Sequence, residues 1–276
     1  MKVIFVLAAD VLREASRRRW VLVLGLVISL LLLLLFGVSR LEIVNNTLSF
    51  STGGSGYPPP QDAAIAARPI FKLCAYFIYY GGLLFGTLAC ADFAPTLMSP
   101  GRIEHLLSLP VKRRHVIFGM FLGIGSLAAA ATLYAAGGLT LILGIKTGVW
   151  SFGPLFAGLL ACVAWGSIYS IMLVAATLAR SAALSAALGL LVFWGGIIAS
   201  HRAGLLQLFA PGPTRSVFAW VSALFPRIAS LGQYCAKVAA SEPIQAATLG
   251  AVVAGFLAFA AVGLGLASWS LERRDF

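Results

Sequence analysis

Nineteen consecutive residues, Trp20–Val38, carry no charged side chain, and fifteen of them are Leu, Ile, Val or Phe. That length matches the roughly 20 residues a helix needs to cross a bilayer. At about −0.3 to −0.6 kcal/mol for each such residue at the bilayer centre, the fifteen sum to about −5 to −9 kcal/mol, an upper bound because end positions count less. A segment with that drive belongs in lipid. Once there, it has to satisfy its own peptide groups, which makes it a helix. Five further apolar runs follow, at about 73–91, 116–143, 152–178, 182–199 and 246–269. The composition agrees: 60% of the chain is hydrophobic and 11% is charged, whereas a soluble domain carries about 25% charge. The expected fold is an all-α integral membrane protein, one transmembrane domain over 1–276 with six spanning helices.

Between the spans the chain reads as follows. Residues 1–19 repeat Phe5, Ala8/Ala9, Leu12 and Ala15/Ser16 at helical spacing, with Arg13, Arg17, Arg18 and Arg19 on or beyond the other face. They predict an amphipathic helix lying in the interface. A secretory signal fits less well. Its apolar core would be 7–15 residues long, and an Ala-x-Ala site would follow. Residues 39–72 are polar and broken by Gly53, Gly54, Gly56 and Pro58–Pro60, and read as an extracytoplasmic loop. Residues 92–115 form a cytoplasmic loop, Gly144–Ser151 a tight turn, and Arg180 a very short one. Residues 200–245 contain Pro211, Pro213, Pro226 and Pro243 around apolar pieces too short to span. They predict short helices in or on the outer leaflet before the sixth span.

The net charge of +11 would point to nucleic acid in a soluble protein. Here it orients the spans, and no nucleic-acid partner is expected. Six spans put both termini on one side. With both ends inside, the inner segments hold twelve of the 20 Lys and Arg residues, clustered at helix ends. Both termini are therefore expected in the cytoplasm. The Ala-, Gly- and Arg-rich composition fits a bacterium of high genomic GC content, and the membrane is read as the bacterial inner (cytoplasmic) membrane.

The chain carries no GxxxxGK[ST] phosphate loop, so an ATPase of that kind is not part of it. No Ser-His-Asp or metal-ligand set stands out, and His105, His115 and His201 are scattered over loops. Cys74, Cys90, Cys162 and Cys235 lie far apart and read as free thiols. All nine acidic residues fall outside the apolar runs or at their ends. Ion-coupled transporters keep ionisable groups within the bilayer as working sites. Energy for uphill transport would therefore come from elsewhere, and any cargo is expected to be apolar or amphipathic. Tyr76, Phe77, Tyr79 and Tyr80 in the second run either line a cavity or belong to the interfacial belt and helix packing. Gly82/Gly86 and Gly119/Gly123 are spaced for close helix contact.

The remaining feature is the stretch Ser99–His115. Ile103, Leu106, Leu107 and Pro110 give it an apolar side, and Arg102, Lys112, Arg113 and Arg114 give it charge. A short, partly apolar helix on a cytoplasmic loop is a ligand for a groove on a partner. Read without a partner, the same helix would lie in the interface and steady the bundle. Arg17–Arg19 and Lys112–Arg114 read as orientation and lipid-headgroup charges.

These residues resemble the permease subunit of ABC-2 type ATP-binding cassette transporters. Ala9–Trp20 is similar to that family's N-terminal elbow helix, and Leu271–Phe276 to its usual terminus. Gly101–Gly119 is similar to its first cytoplasmic loop, where Gly-Thr-x-Glu-x-Leu-Leu-x-x-Pro-x-x-Arg precedes the third span. Arg102 stands in place of the Thr, Met120 in place of a common Lys, and Asp92–Gly101 lacks the usual Glu-Arg-Glu-type run. The resemblance implies that Glu104, His105, Leu106, Leu107, Ser108, Leu109 and Pro110 form a coupling helix seated in a separate ATPase subunit, present in two copies. ATP and Mg would be bound by that partner, with no cofactor in this chain. A second permease copy, identical or not, would complete the complex, and the whole would export a substrate. Two other readings stay open. The chain could pass ATP-driven movement to a periplasmic partner, through loops 39–72 and 200–245, in place of moving a solute. It could instead be a membrane enzyme or cytochrome-like subunit, against which the lack of intramembrane His or acid pairs argues.

Single cysteines placed at Ser55 and at Arg113 are expected to react with a membrane-impermeant thiol reagent from opposite sides of intact cells. Reaction of both from one side would overturn the topology.

Overall fold

The computed structural model of the chain describes residues 2–17, 19–38, 41–44, 47–50, 63–98, 112–148, 150–209 and 212–273. The chain begins with α1 (Lys2–Ser16) and α2 (Arg19–Val38). Two short strands, β1 (Leu41–Val44) and β2 (Thr47–Phe50), then pair antiparallel with Leu41 opposite Phe50. Next, α3 (Ala63–Tyr76) passes through a π-helical turn, Phe77–Gly81, into α4 (Gly82–Ala89), and α5 (Phe93–Leu97) follows. The second half holds the long helices α6 (Arg113–Thr147), α7 (Gly153–Ala179) and α8 (Ala182–Ser200). Three short ones come next, α9 (Arg202–Leu208), α10 (Pro213–Leu224) and α11 (Ile228–Ala239), and α12 (Ala246–Glu272) closes the bundle.

Among the described residues, five segments are long and apolar enough to cross a membrane: Arg68–Leu97, Arg113–Lys146, Gly153–Ala179, Ala182–Ser200 and Ala246–Glu272. Ile4–Ser16 and Val21–Gly37 are long and apolar enough only when taken together, as a pair bent by 69°, the geometry of a broken span or a re-entrant loop. The all-α integral membrane fold expected from the apolar runs is the one observed. The four cysteines are free thiols.

Helix α7 is the centre of the bundle. Two thirds of its spanning window (67%) is buried inside the protein, whereas the other four spans bury between 17% and 33%. Its composition explains this. Ala157, Gly158, Ala161, Ala164, Ala175 and Ala176 are buried along it and let α6, α8, α11 and α12 approach closely. Without a strong hydrophobic drive between helices in lipid, close approach at small residues is what holds them together.

Helix α1 packs along the first third of α6. The expected stripe began at Phe5, but Phe5 is 66% exposed. The packed stripe is instead Ile4, Leu7, Ala8, Val11 and Ala15. The groove on α6 decides this: a Cβ on Gly119 would lie 2.7 Å from Leu7 Cβ, and one on Gly123 would lie 2.7 Å from the Ala8 carbonyl oxygen. Those glycines are the small pair seen in the sequence, and their partner is the N-terminal helix.

Two stretches read as loop are more ordered than their composition suggests. The second span was expected to start near Leu73, yet helix begins at Ala63 and continues through Pro69. Burial of Phe71 and an ion pair between Lys72 Nζ and Glu242 Oε1 at 2.6 Å hold the added turns. In the stretch before the last span, α9 and α10 lie on the surface. By contrast α11 is sunk into the bundle with Ile228, Leu231, Cys235 and Ala239 buried against α3, α7 and α8. Its 12 residues reach about 18 Å, too short to cross a hydrocarbon core of about 30 Å.

Replacing Gly119 and Gly123 together by Ala is expected to push α1 off its seat at an overpacking cost of about 1–3 kcal/mol. The purified protein should melt at a lower temperature, and trypsin should cleave faster at Arg13 and Arg17. Unchanged melting and cleavage would show that the groove does not hold α1.

Candidate functional site at the loop end of the bundle

Glu104, His105, Leu106, Leu107, Ser108, Leu109 and Pro110 lie outside the described residues, as does Arg102. The structure places the frame on either side of them. On the way in, α4 ends at Cys90 and the chain turns through Asp92 into α5. The Thr96 hydroxyl donates to the Asp92 carbonyl at 2.5 Å. Phe93, Ala94, Leu97 and Met98 are all buried, and α5 packs against α7 and α8. The loop is therefore entered through a plug of apolar side chains rather than a slack linker.

On the way out, Lys112 is extended (φ −69°, ψ 138°) and α6 starts at Arg113. Val116 and Ile117 are buried one turn later. The Arg113 guanidinium reaches across the bundle end: its Nη1 donates to the carbonyls of Leu271 at 3.1 Å and Glu272 at 3.2 Å. Those carbonyls belong to the last turn of α12, where a helix has no intrahelical donors left. A cation there also meets the negative end of the helix dipole, worth about 0.3–1 kcal/mol at an exposed site. In the same turn the Arg273 guanidinium stacks 4.1 Å from the centroid of Trp269.

The tight connection between α7 and α8 sits beside this frame. Arg180 caps α7 in the left-handed conformation (φ 50°, ψ 30°), and the Ser181 hydroxyl accepts from the Leu184 amide at 3.4 Å to start α8. The described part of the loop end thus contains anchored helix termini and cationic side chains. Its capability is mechanical: a force on residues 99–111 meets buried anchors at both ends.

The aromatic cluster of the second span lies elsewhere. Tyr79 is 1% exposed, and its hydroxyl donates to the Ile228 carbonyl at 2.9 Å. Tyr80 meets Tyr79 edge-on at 5.1 Å and stacks with Tyr76 at 6.0 Å. Phe77 faces outward. The π-helical turn supplies this arrangement, because its extra residue turns Tyr79 and Tyr80 together toward α11. Gly232 makes room for them: a Cβ there would lie 2.9 Å from the Tyr80 hydroxyl. The N-terminus of α11 is capped from another helix, with the Ser200 hydroxyl accepting from the amides of Ala229 at 2.9 Å and Ser230 at 3.3 Å. Of the two sequence readings for the tyrosines, cavity or belt and packing, packing describes Tyr79. It is a structural clamp. Within the spans, Thr87, Thr140, Ser167, Ser170 and Thr177 are buried and donate to carbonyls of their own helices.

Sequence reasoning missed the cross-helix roles of Arg113, Ser200 and Tyr79. One signal pointed to Arg113. It opens α6 beside Arg114, and cations at a helix N-terminus oppose the dipole. A basic residue there calls for acceptors elsewhere. For Ser200 and Tyr79 no comparable local signal exists.

Set against known protein families, residues 97–276 match the family described as ABC-2 family transporter protein. The match takes in the entry to the loop, all of α6 to α12, and 180 of the 276 residues. No curated protein matches the chain.

Ser200→Ala removes the acceptor of two part-buried amides at the start of α11, at a cost of up to about 1–3 kcal/mol for each one left unsatisfied. Hydrogen exchange over residues 228–239 is expected to accelerate, with exchange in α7 unchanged. Equal protection in both proteins would show that α11 is held by packing alone.

Proposed function

The chain belongs to the ABC-2 transporter family, and on that premise we propose that it is the permease of an exporter driven by a separate ATPase that docks on Glu104–Pro110. The family supplies the coarser part of this statement: a multi-pass membrane subunit of an ABC transporter, partnered by an ATPase subunit. The finer part is our reading. Two ATPase copies bind ATP and Mg and close on each other. They push the coupling helices of two permease chains, identical or not, in the bacterial inner membrane with both termini in the cytoplasm. To switch the bundle usefully, closure must favour one state by a few kcal/mol.

The observation that carries this reading is the anchoring of the loop on both sides. Phe93, Leu97 and Met98 fix its entrance in the core, and Arg113 fixes its exit to α12. A loop built to be ignored by the bundle would not be wired into it. The charge-free interior of the spans favours an apolar or amphipathic cargo.

A second reading also has an observation behind it. At the opposite end of the bundle, α10 leaves Val217, Trp220 and Leu224 exposed, Trp220 by 77%, while the neighbouring α11 is pinned to the second span. Such a surface suits a subunit that passes movement to an extracytoplasmic partner instead of moving a solute.

The test is a detergent pull-down of the tagged chain, followed by ATP hydrolysis on what co-purifies. An ATPase is expected. Leu106→Asp with Leu107→Asp should release it while the permease stays inserted. Groove anchors cost about 2 kcal/mol or more each when removed, so losing both should lower affinity by about 800-fold. Binding and stimulated hydrolysis that survive the change would remove the loop from the coupling role. An added periplasmic factor in the pull-down would move the assignment to the second reading.

A further inference from the structure

We propose that Arg113 is a positioning residue that links the coupling loop to the C-terminal helix, so that movement of the loop is delivered to α12 as well as to α6. This rests on the reading of the loop given above. Arg113 is the second residue after the undescribed stretch and the first residue of α6. Any rotation of the loop therefore reaches its backbone at once. Its guanidinium ends on the two carbonyls of Leu271 and Glu272, 158 and 159 positions away in the sequence.

The receiving turn is itself rigid. Leu271 is fully buried, Ser270 nearly so, and Arg273 stacks on Trp269. A pull on the Leu271 and Glu272 carbonyls is thus a pull on α12 as a body. That helix in turn lies along the central helix α7, touching it closely where Gly263 faces Ser170 and Ile171. One side chain thereby joins the input segment to the core of the bundle by a route separate from the peptide chain of α6.

The chemistry of the link is specific to arginine. The guanidinium is planar, so the two N–H bonds of Nη1 are held in that plane and reach the two carbonyls at a set angle. A lysine ammonium is a single rotating point on a flexible stem. The link should therefore weaken in steps, from Arg to Lys to Gln. Because both acceptors are backbone carbonyls, no substitution in α12 can remove them without removing the turn, which makes Arg113 the place to test.

The experiment uses the complex of the full chain with the ATPase that co-purifies with it, in lipid nanodiscs. Spin labels are placed at Arg114 on α6 and, separately, at Glu272 on α12, each paired with a label at Trp194, which is exposed on α8. Distances are measured without nucleotide and with ATP and vanadate. The unmodified chain is expected to show a nucleotide-dependent shift at both positions. Arg113→Gln should keep the shift at Arg114 and lose most of it at Glu272, and Arg113→Lys should give an intermediate loss at Glu272.

A full shift at Glu272 in both variants overturns the link and leaves the coupling role of the loop intact. No shift at Glu272 in the unmodified chain, with a shift at Arg114, overturns it equally. No shift at either position removes the coupling role itself, and the link with it. If Arg113→Gln does not yield a folded complex, the Arg113→Lys comparison alone decides, because an undiminished shift there contradicts the need for a two-carbonyl fork.

Discussion

In a bilayer an unpaired peptide group has no water to turn to, and each costs several kcal/mol. A chain made only of unbroken helices would meet this demand automatically. This one breaks its helices repeatedly, and at the breaks the missing partners come from other helices. The Arg113 guanidinium serves the last carbonyls of α12. The Ser200 hydroxyl serves the first amides of α11, where the Ile228 carbonyl in turn accepts from the buried Tyr79 hydroxyl. Lys146 Nζ donates to the Phe36 carbonyl at the end of α2 and lies 4.5 Å from the centroid of its ring. Each of these contacts solves a local hydrogen-bonding problem by tying two distant parts of the chain together. The architecture is in that sense a set of helix ends that depend on their neighbours.

That dependence shapes how the protein can move. Apolar packing between spans in lipid is weakly directional, so helices that touch only through alanine and leucine can slide or tilt. Helices that share a cap cannot separate at that point without exposing a peptide group. The bundle therefore has pinned points at its two ends and a smoother, small-residue interior along α7. Any conformational cycle must either keep the pinned points or exchange them for others of similar strength.

The sequence was most informative where a single physical quantity dominates. Hydrophobic length marks the spans, because no other fold tolerates Trp20–Val38. The Gly119/Gly123 pair marks a close contact, because a missing Cβ permits it. The charge and apolar spacing of residues 1–19 mark an amphipathic helix. It was least informative where partners are far apart in the chain. Nothing near Gly119 says that its neighbour is Leu7, and the expected stripe held Phe5 and Leu12 where the packed one holds Leu7 and Val11. The helical start of the second span was hidden because Arg68 and Lys72 argue against a span and Pro69 against helix, while Phe71 and Glu242 supply the tertiary support that overrides them. The π-helical turn at Phe77–Gly81 leaves no mark in composition at all. The candidate site shows both sides. Glu104–Pro110 and the cations around them were found by their pattern, but the wiring of their flanks into α5, α7 and α12 was not.

Helix α6 has 35 residues, about 52 Å at 1.5 Å per residue, against a hydrocarbon core of about 30 Å. About 20 Å of it has to stand outside the hydrocarbon, and α1 is laid along the Arg113 end. Near its midpoint the helix carries only small side chains, Ala128, Ala129, Ala130 and Ala131. The element thus has the proportions of a rocker, gripped at both ends and smooth at the fulcrum. A tilt of about 5° about that midpoint swings each end by about 2 Å in opposite directions, given a half-length of about 26 Å. A side-chain-sized displacement near Arg113 is matched by an equal and opposite one near Lys146 and the end of α2, with no change in the helix itself.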